Sequence, residues 1–176
     1  MSMRMLALAL LVACGGSEPA PPPAPAPAKA AKKEAPKPKP KPKPAEAIVV
    51  KPDADGVAHV EASDMMKYNT GRIEVEGTTF KIELKHVGSM AKTAMGHNLV
   101  VLQAGTDPVA WAGTAVTAAG NDYIPEDASA IIAHTKLLGG GESDTIEVVL
   151  PGPGEYPFVC SFPGHAAIMQ GVIVAK

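Results

Sequence analysis

The sequence lacks the features of a disulfide scaffold, a membrane span or a nucleic-acid binder. It has 2 cysteines, too few for a disulfide framework, and no apolar run approaching the ~20 residues that cross a bilayer as a helix. Aromatic residues make up 4% of the chain, and Trp111 is its one tryptophan. Positive charge is scarce over the long C-terminal part. Residues 48–176 hold 8 Lys and Arg against 15 Asp and Glu, a net charge of −7, where the whole chain of 176 residues carries −2. A domain of that sign does not hold a polyanion, so no nucleic acid is expected as a partner. The acidic residues form no pair that points to general acid–base chemistry, and no internal repeat is present.

Proline is abundant, and it is concentrated. Eleven of the 18 prolines and seven lysines (Lys29, Lys32, Lys33, Lys37, Lys39, Lys41, Lys43) fall between Pro19 and Pro44. Such a stretch cannot bury enough apolar surface to offset its ordering entropy, and repeated Lys-Pro favours an extended, self-repelling chain. Ahead of it, Met1 to Arg4 and the apolar run 6–13 (LALALLVA) have the layout of a secretory signal. That run ends Leu11-Val12-Ala13-Cys14-Gly15, which resembles the lipobox of bacterial lipoproteins. The resemblance implies cleavage before Cys14 and a lipid on its thiol, hence a periplasmic, membrane-anchored lipoprotein. Gly15 in place of Asp directs it to the outer rather than the inner membrane. The chain thus divides into a signal peptide over 1–13, a disordered Pro/Lys-rich tether over 14–47 and a folded domain over 48–176.

The folded part is expected to be all-β. Alternating or β-branched runs recur at 58–62, 72–75, 79–87, 97–102, 131–138, 145–150, 155–160 and 171–175, punctuated by Gly77, Gly139-Gly140-Gly141 and Pro151-Gly152-Pro153-Gly154. In 79–87, Phe80, Ile82, Leu84 and His86 share one face while Lys81, Glu83 and Lys85 share the other, the pattern of a half-buried strand. Many short strands so spaced argue for a sandwich or barrel. One stretch breaks the pattern. Asp107 can cap a helix, Pro108 suits its first position, 109–119 is Ala-rich and Gly120 can end it, so a helical flap is expected there.

The chemistry lies near the C-terminus. Between two expected strands, Cys160-Ser161-Phe162-Pro163-Gly164-His165-Ala166-Ala167-Ile168-Met169 places Cys, His and Met at spacings of five and four. Pro163 and Gly164 turn the loop back, so thiolate, imidazole and thioether can converge. The second imidazole nearest to hand is His97, in Met95-Gly96-His97-Asn98. Two imidazoles, one thiolate and a long axial thioether are the ligand set of a blue copper electron-transfer site.

These segments, with Ile132-Ala133-His134-Thr135-Lys136-Leu137 and Gly140-Gly141-Glu142-Ser143-Asp144, resemble the azurin family of cupredoxins in azurin order, from about residue 61 to 176. The resemblance implies a Greek-key β-sandwich with one type 1 copper. His97, Cys160 and His165 would be the strong ligands, Met169 the weak axial one, and the Gly96 carbonyl would approach from the opposite side. It also implies outer hydrogen bonds from Asn98 and Ser161. Met66, Met95, Phe162 and Pro163 would form an apolar docking face where the His165 imidazole edge is the electron's exit. The function implied is a one-electron carrier, monomeric, serving redox proteins as donor and acceptor. Azurins usually carry a disulfide near one end of the sandwich; with no cysteine between Cys14 and Cys160, that brace is absent.

Other readings compete. Copper storage or delivery would use the same donors, zinc suits Cys and two His, and a Cys–His nucleophile is conceivable. The last leaves Met169 unexplained and lacks an orienting acid. His59, His86 and His134 are expected to be structural histidines, and Met65 a surface residue.

Overall fold

The structure, a computed structural model, describes residues 48–176. The expected signal peptide, the tether and Cys14 lie outside the described residues. In chain order the elements are β1 (Val49–Val50), β2 (Val57–Ser63), β3 (Lys67–Tyr68), β4 (Arg72–Val75), β5 (Thr79–His86), α1 (Lys92–Met95), β6 (Val100–Leu102), α2 (Pro108–Ala115), β7 (Ile131–His134), β8 (Ser143–Val149), β9 (Gly154–Val159) and β10 (Gln170–Ala175). One sheet has the order β1-β4-β10-β9-β6-β7, the other β3-β2-β5-β8. This is the two-sheet, Greek-key sandwich that the sequence implies.

Alternation makes the core. In β5, Phe80, Ile82, Leu84 and His86 are buried. They face a layer that includes Ile73 of β4, Phe158 of β9 and Ile173 of β10, each without exposed surface. Every such side chain contributes on the order of 1.5–3 kcal/mol by leaving water. The flap packs separately: Trp111 and Ala112 of α2 and Ile124 cluster with Val100, Leu102 and Val159.

The differences from the sequence reading are local. The helix starts as expected, with the Asp107 carboxylate accepting from the Val109 and Ala110 amides at 3.0 Å each. It ends at Ala115, not near Gly120. The Thr114 and Thr117 hydroxyls bond back to the carbonyls of Trp111 and Thr114, and a single 3₁₀ turn follows at 119–121. The strand expected over 97–102 is hydrogen-bonded as a strand only from Val100, and His97 instead makes one bridge to Leu138. The strand expected over 131–138 stops at His134. β1, β3 and α1, all of four residues or fewer, were not foreseen.

Strand direction defines two ends. β2 and β5 run in parallel, from Val57 beside Lys81 to Ala62 beside His86. The segments carrying the candidate ligands gather where those two strands finish and β10 begins.

Candidate metal centre

His97 is set in place by a short approach. The four-residue α1 buries none of its side chains, and Gly96 follows it with an ordinary φ of −68°. Glycine is needed at 96 for space. A Cβ there would lie 2.5 Å from the Lys92 carbonyl and 3.0 Å from Leu137. His97 is then held by a reciprocal pair of backbone bonds with Leu138, of 3.0 and 2.8 Å.

The loop 160–169 closes on itself. The Cys160 amide donates to the Met169 carbonyl at 2.9 Å, and the Met169 amide donates to the His165 carbonyl at 2.8 Å. The His165 amide in turn reaches the Phe162 carbonyl at 3.1 Å. Gly164 sits at φ +84°, a left-handed turn that a residue with a side chain adopts at a cost. The main chain of Met169 is therefore bonded to both Cys160 and His165, and its side chain is fully buried in the core.

Among the described residues, His97, Cys160 and His165 form the one cluster of metal-binding type, with a ligand atom from each within 4.8 Å of the others. The Cys160 Sγ stands 3.7 Å from the His165 Nδ1. Cys160 and His97 have no exposed surface and His165 only 3%. The His97 Nε2 faces the Ser63 carbonyl at 2.9 Å. A carbonyl only accepts, so that nitrogen carries the proton. The Nδ1 is left with a free lone pair, buried and without a hydrogen-bond partner. Such an orphan is costly unless something electrophilic meets it, and a bound cation is what the cluster fits.

The electrostatics agree with this reading. Burial, then repulsion from His86 and His165, pushes His97 down to about 4, which keeps it a neutral donor at physiological pH. Burial also lowers His165. Burial pushes the Cys160 thiol up to about 11, although the Asn98 and Phe162 amides and the Tyr68 hydroxyl work against it. A thiol so placed keeps its proton in the metal-free protein and releases it to solvent when a cation takes its place on sulfur.

Asn98 joins the two ligand segments. Its Oδ1 accepts from the Ser161 amide at 2.9 Å, and its Nδ2 donates to the Ser161 Oγ at 2.7 Å and to the Asp122 carbonyl at 3.1 Å. The residue after one candidate ligand is thereby fastened to the residue after another. Sequence reasoning named this pair but missed its neighbours. The Tyr68 hydroxyl donates to the Asn98 carbonyl, and the Asp122 carboxylate accepts from the Leu137 amide. Asp122 and Tyr123 both hold positive φ, and the Tyr123 ring lies edge-on to Phe162 at 5.2 Å, which lies against His165 at 4.7 Å. No single-sequence signal marks these contacts.

The remaining histidines lie outside the cluster. His86 is fully buried with its ring edge-on to His97 at 4.6 Å, and its Nε2 faces the Asp64 carboxylate at 3.2 Å. His59 is exposed between two carboxylates, and His134 is exposed on the edge strand β7. Of the expected docking residues, Pro163 is exposed, while Phe162, Met66 and Met95 are half-buried. Met65 at 79% and Ile168 at 63% are bare. Ile168, directly before Met169, was not among the expected docking residues.

The comparisons point the same way as the geometry. Residues 54–176 match the family described as copper binding proteins, plastocyanin/azurin family. Azurin-2 of Alcaligenes xylosoxydans xylosoxydans is 47% identical over 122 residues, 66% of this chain and 94% of that protein. Outer membrane protein H.8 of Neisseria meningitidis serogroup B (strain ATCC BAA-335 / MC58) is 46% identical over 121 residues, 66% of this chain and 65% of that protein, so the match spans just under two thirds of its length. The solved azurin (Az-iso2) of the methylotroph Methylomonas sp. strain J superposes with a TM-score of 0.62 at 30% identity, covering 70% of this chain and 99% of that one.

Proposed function

The chain belongs to the plastocyanin/azurin family of copper-binding proteins, and from that premise we propose that it is a one-electron carrier held outside the cytoplasm. Copper is its cofactor, and when bound supplies a couple that exchanges one electron. The chain's part is to hold, orient and keep dry. In this reading His97 Nδ1, Cys160 Sγ and His165 Nδ1 would be the strong donors that hold the copper, and the Met169 thioether and the Gly96 carbonyl the weak ones. The observation that carries it is the buried, unpartnered Nδ1 of His97 in a cluster whose two other donors are also shut from water.

The surroundings favour a carrier over an enzyme. A site with 0–3% exposure at its donors admits no substrate. The backbone bonds of loop 160–169 and the Asn98 bridge restrain the donors, which keeps rearrangement small when the charge on the metal changes. Met66, Met95, Phe162 and Pro163, with Ile168, form the face against which redox proteins dock, and His165 beneath it is the electron's exit. The monomer is the working unit.

The lipid on Cys14, the signal over 1–13, the tether over 14–47 and the domain over 48–176 complete the proposal. The H.8 relative is by its name an outer membrane protein, which supports a periplasmic, outer-membrane-associated place. The test is spectroscopic. Copper-loaded, oxidised protein should show an intense visible thiolate-to-copper band with the matching paramagnetic resonance signal, and Cys160→Ser should abolish both while the circular dichroism of the sandwich persists. A colourless, copper-replete parent refutes the reading.

A further inference from the structure

Two adjacent residues with side chains, Asp122 and Tyr123, hold φ of +51° and +59°. Aspartate enters that left-handed region more readily than most residues, but a bulky aromatic is an outlier there. Glycine would take either place without strain. Strain of this kind persists only where the surroundings impose it, and here they do so from both sides. Ahead of the pair, the Asn121 and Tyr123 amides both donate to the Ala118 carbonyl, at 2.9 and 3.0 Å. Behind it, the Ile124 amide donates to the Asn121 carbonyl at 2.8 Å, and the Asn121 Nδ2 donates to the Ile124 carbonyl at 2.9 Å. Ile124 is buried in one cluster with Trp111 and Ala112 of α2, so the pair is rooted in the helical flap.

What glycine could not supply is contact with the ligand segments. The Asp122 carboxylate accepts from the Leu137 amide at 3.2 Å. Leu137 lies against Gly96, and Leu138 holds His97 through the two backbone bonds. The Tyr123 ring meets Phe162 at 5.2 Å and 71°, and Phe162 lies against the His165 ring at 4.7 Å and 39°. The His165 ring is in turn 5.0 Å from that of His97.

The main chain of the pair adds a third contact. The Asp122 carbonyl accepts from the Asn98 Nδ2 at 3.1 Å. A carbonyl only accepts, so it must face the NH₂ of the Asn98 side chain and not the oxygen. That fixes which way round the side-chain amide stands, with its Oδ1 turned to the Ser161 amide. One dipeptide thus reaches both sides of the cluster, His97 through Leu137 and Asn98, and His165 through Phe162. Neither residue belongs to the cluster itself.

We propose that Asp122 and Tyr123 are positioning residues of the metal centre: the flap holds them in a strained turn, and they set the orientation of Asn98, Leu137 and Phe162, and through these of His97 and His165. The proposal rests on the copper reading above, and it makes the flap part of the site. Contacts that orient metal ligands from outside are worth about 10–100-fold in metal affinity.

The test uses the full chain and two pairs of variants. Asp122→Gly removes the carboxylate and the strain together, while Asp122→Asn keeps an acceptor for Leu137. Tyr123→Leu removes the ring, and Tyr123→Phe keeps it. Copper affinity is read by competition with a chelator, under conditions where circular dichroism shows each protein folded. Asp122→Gly and Tyr123→Leu should each bind copper about 10-fold or more weakly, with an altered paramagnetic resonance signal, and Asp122→Asn and Tyr123→Phe should match the parent. Amide exchange of the metal-free proteins is the second readout. Its reference is the Leu150 amide, bonded to the Thr78 carbonyl at 2.8 Å at the other end of the sandwich. Relative to that amide, exchange should quicken about 5-fold at His97 and Ser161 in Asp122→Gly and at His165 in Tyr123→Leu, the factor that one lost hydrogen bond is worth. Parent-like affinity and resonance in both folded variants, or acceleration no greater than at Leu150, would mean that the pair serves the fold alone and overturns the proposal. If one variant does not fold, the other decides. A colourless, copper-loaded parent sinks the carrier reading by itself, and the metal-free exchange then decides this one.

Discussion

Asn98→Ala tests whether the bridge between the ligand segments holds the site together. The side chain makes three bonds, two of them buried, from the Ser161 amide at 2.9 Å and to the Ser161 Oγ at 2.7 Å, and one part-buried, to the Asp122 carbonyl at 3.1 Å. At ~1 kcal/mol each, and with another ~1–2 kcal/mol for a Ser161 amide stranded without a partner, the folded state should lose ~4–5 kcal/mol. That is a large part of the ~5–15 kcal/mol a domain has. Urea unfolding of the copper-free protein reads the loss directly, as a lower midpoint with an unchanged slope. Ser161→Ala removes only the Oγ partner and should cost ~1 kcal/mol. Because the two residues share a bond, the double variant should fall short of additivity by ~0.5–1 kcal/mol. Copper affinity of Asn98→Ala should drop ~10–100-fold, the usual effect of losing an outer contact that orients ligands. A loss below ~1 kcal/mol for Asn98→Ala would falsify the claim that this bridge fastens the site.

Other expectations follow from single contacts. Gly96→Ala would force a Cβ to 2.5 Å from the Lys92 carbonyl, so unfolding midpoints should fall by the equivalent of ~1–3 kcal/mol and copper uptake should weaken; a variant as stable and as blue as the parent removes the space argument. Both His59 ring nitrogens face carboxylates, Glu83 at 2.6 Å and Asp53 at 2.9 Å, and both bonds need the doubly protonated ring. Hydrogen bonding to Asp53 and then Glu83 raises the His59 pKa. A raised value means the stabilisation is full below the ordinary ~6.5 and fades as pH climbs through the folded value. Melting temperature should therefore decline from neutral into alkaline pH, and His59→Gln should flatten that decline; an equal slope in both proteins excludes the clamp. Cys14→Ser should release the protein from membrane fractions, and unchanged association there refutes the lipid anchor.

Much of the fold is written as alternation, because a strand buried on one face must place an apolar residue at every second position. Phe80, Ile82, Leu84 and His86 were legible in this way, and the structure buries all four. Part of the site was legible because Cys160 and His165 lie in one short loop whose spacing lets them converge, and the structure brings both together with His97. Legibility fails where the cause is remote in sequence. β1 and β3 have two residues each, too few to show a period, and exist because β4 and β2 offer them hydrogen-bonding edges. The overlong helix was an error of propensity: alanine continues a helix on its own, but Val116 is exposed and the packing against the sheet comes from Trp111, Ala112 and Ala115. His86 was read as structural, and nothing nearby in sequence indicates that its ring meets His97, eleven positions on.

With Cys160 the one cysteine among the described residues, no disulfide joins any two of them. The chain ahead of β2 is held instead by side chains: Asp53 accepts from the amides of Asp55 and Val57, and His59 spans Asp53 and Glu83. Those bonds are exposed and each is weak. They hold the turn through which 48–52 must pass to lie along β4. On this account a change that opens Asp53–His59–Glu83 should loosen β1 first, while the ligand cluster, fastened through Asn98 and loop 160–169, stays intact. Amide exchange should then accelerate at Val50 in His59→Gln while the Cys160 and Met169 amides remain protected; equal acceleration at all three would mean that the two ends of the sandwich open as one unit.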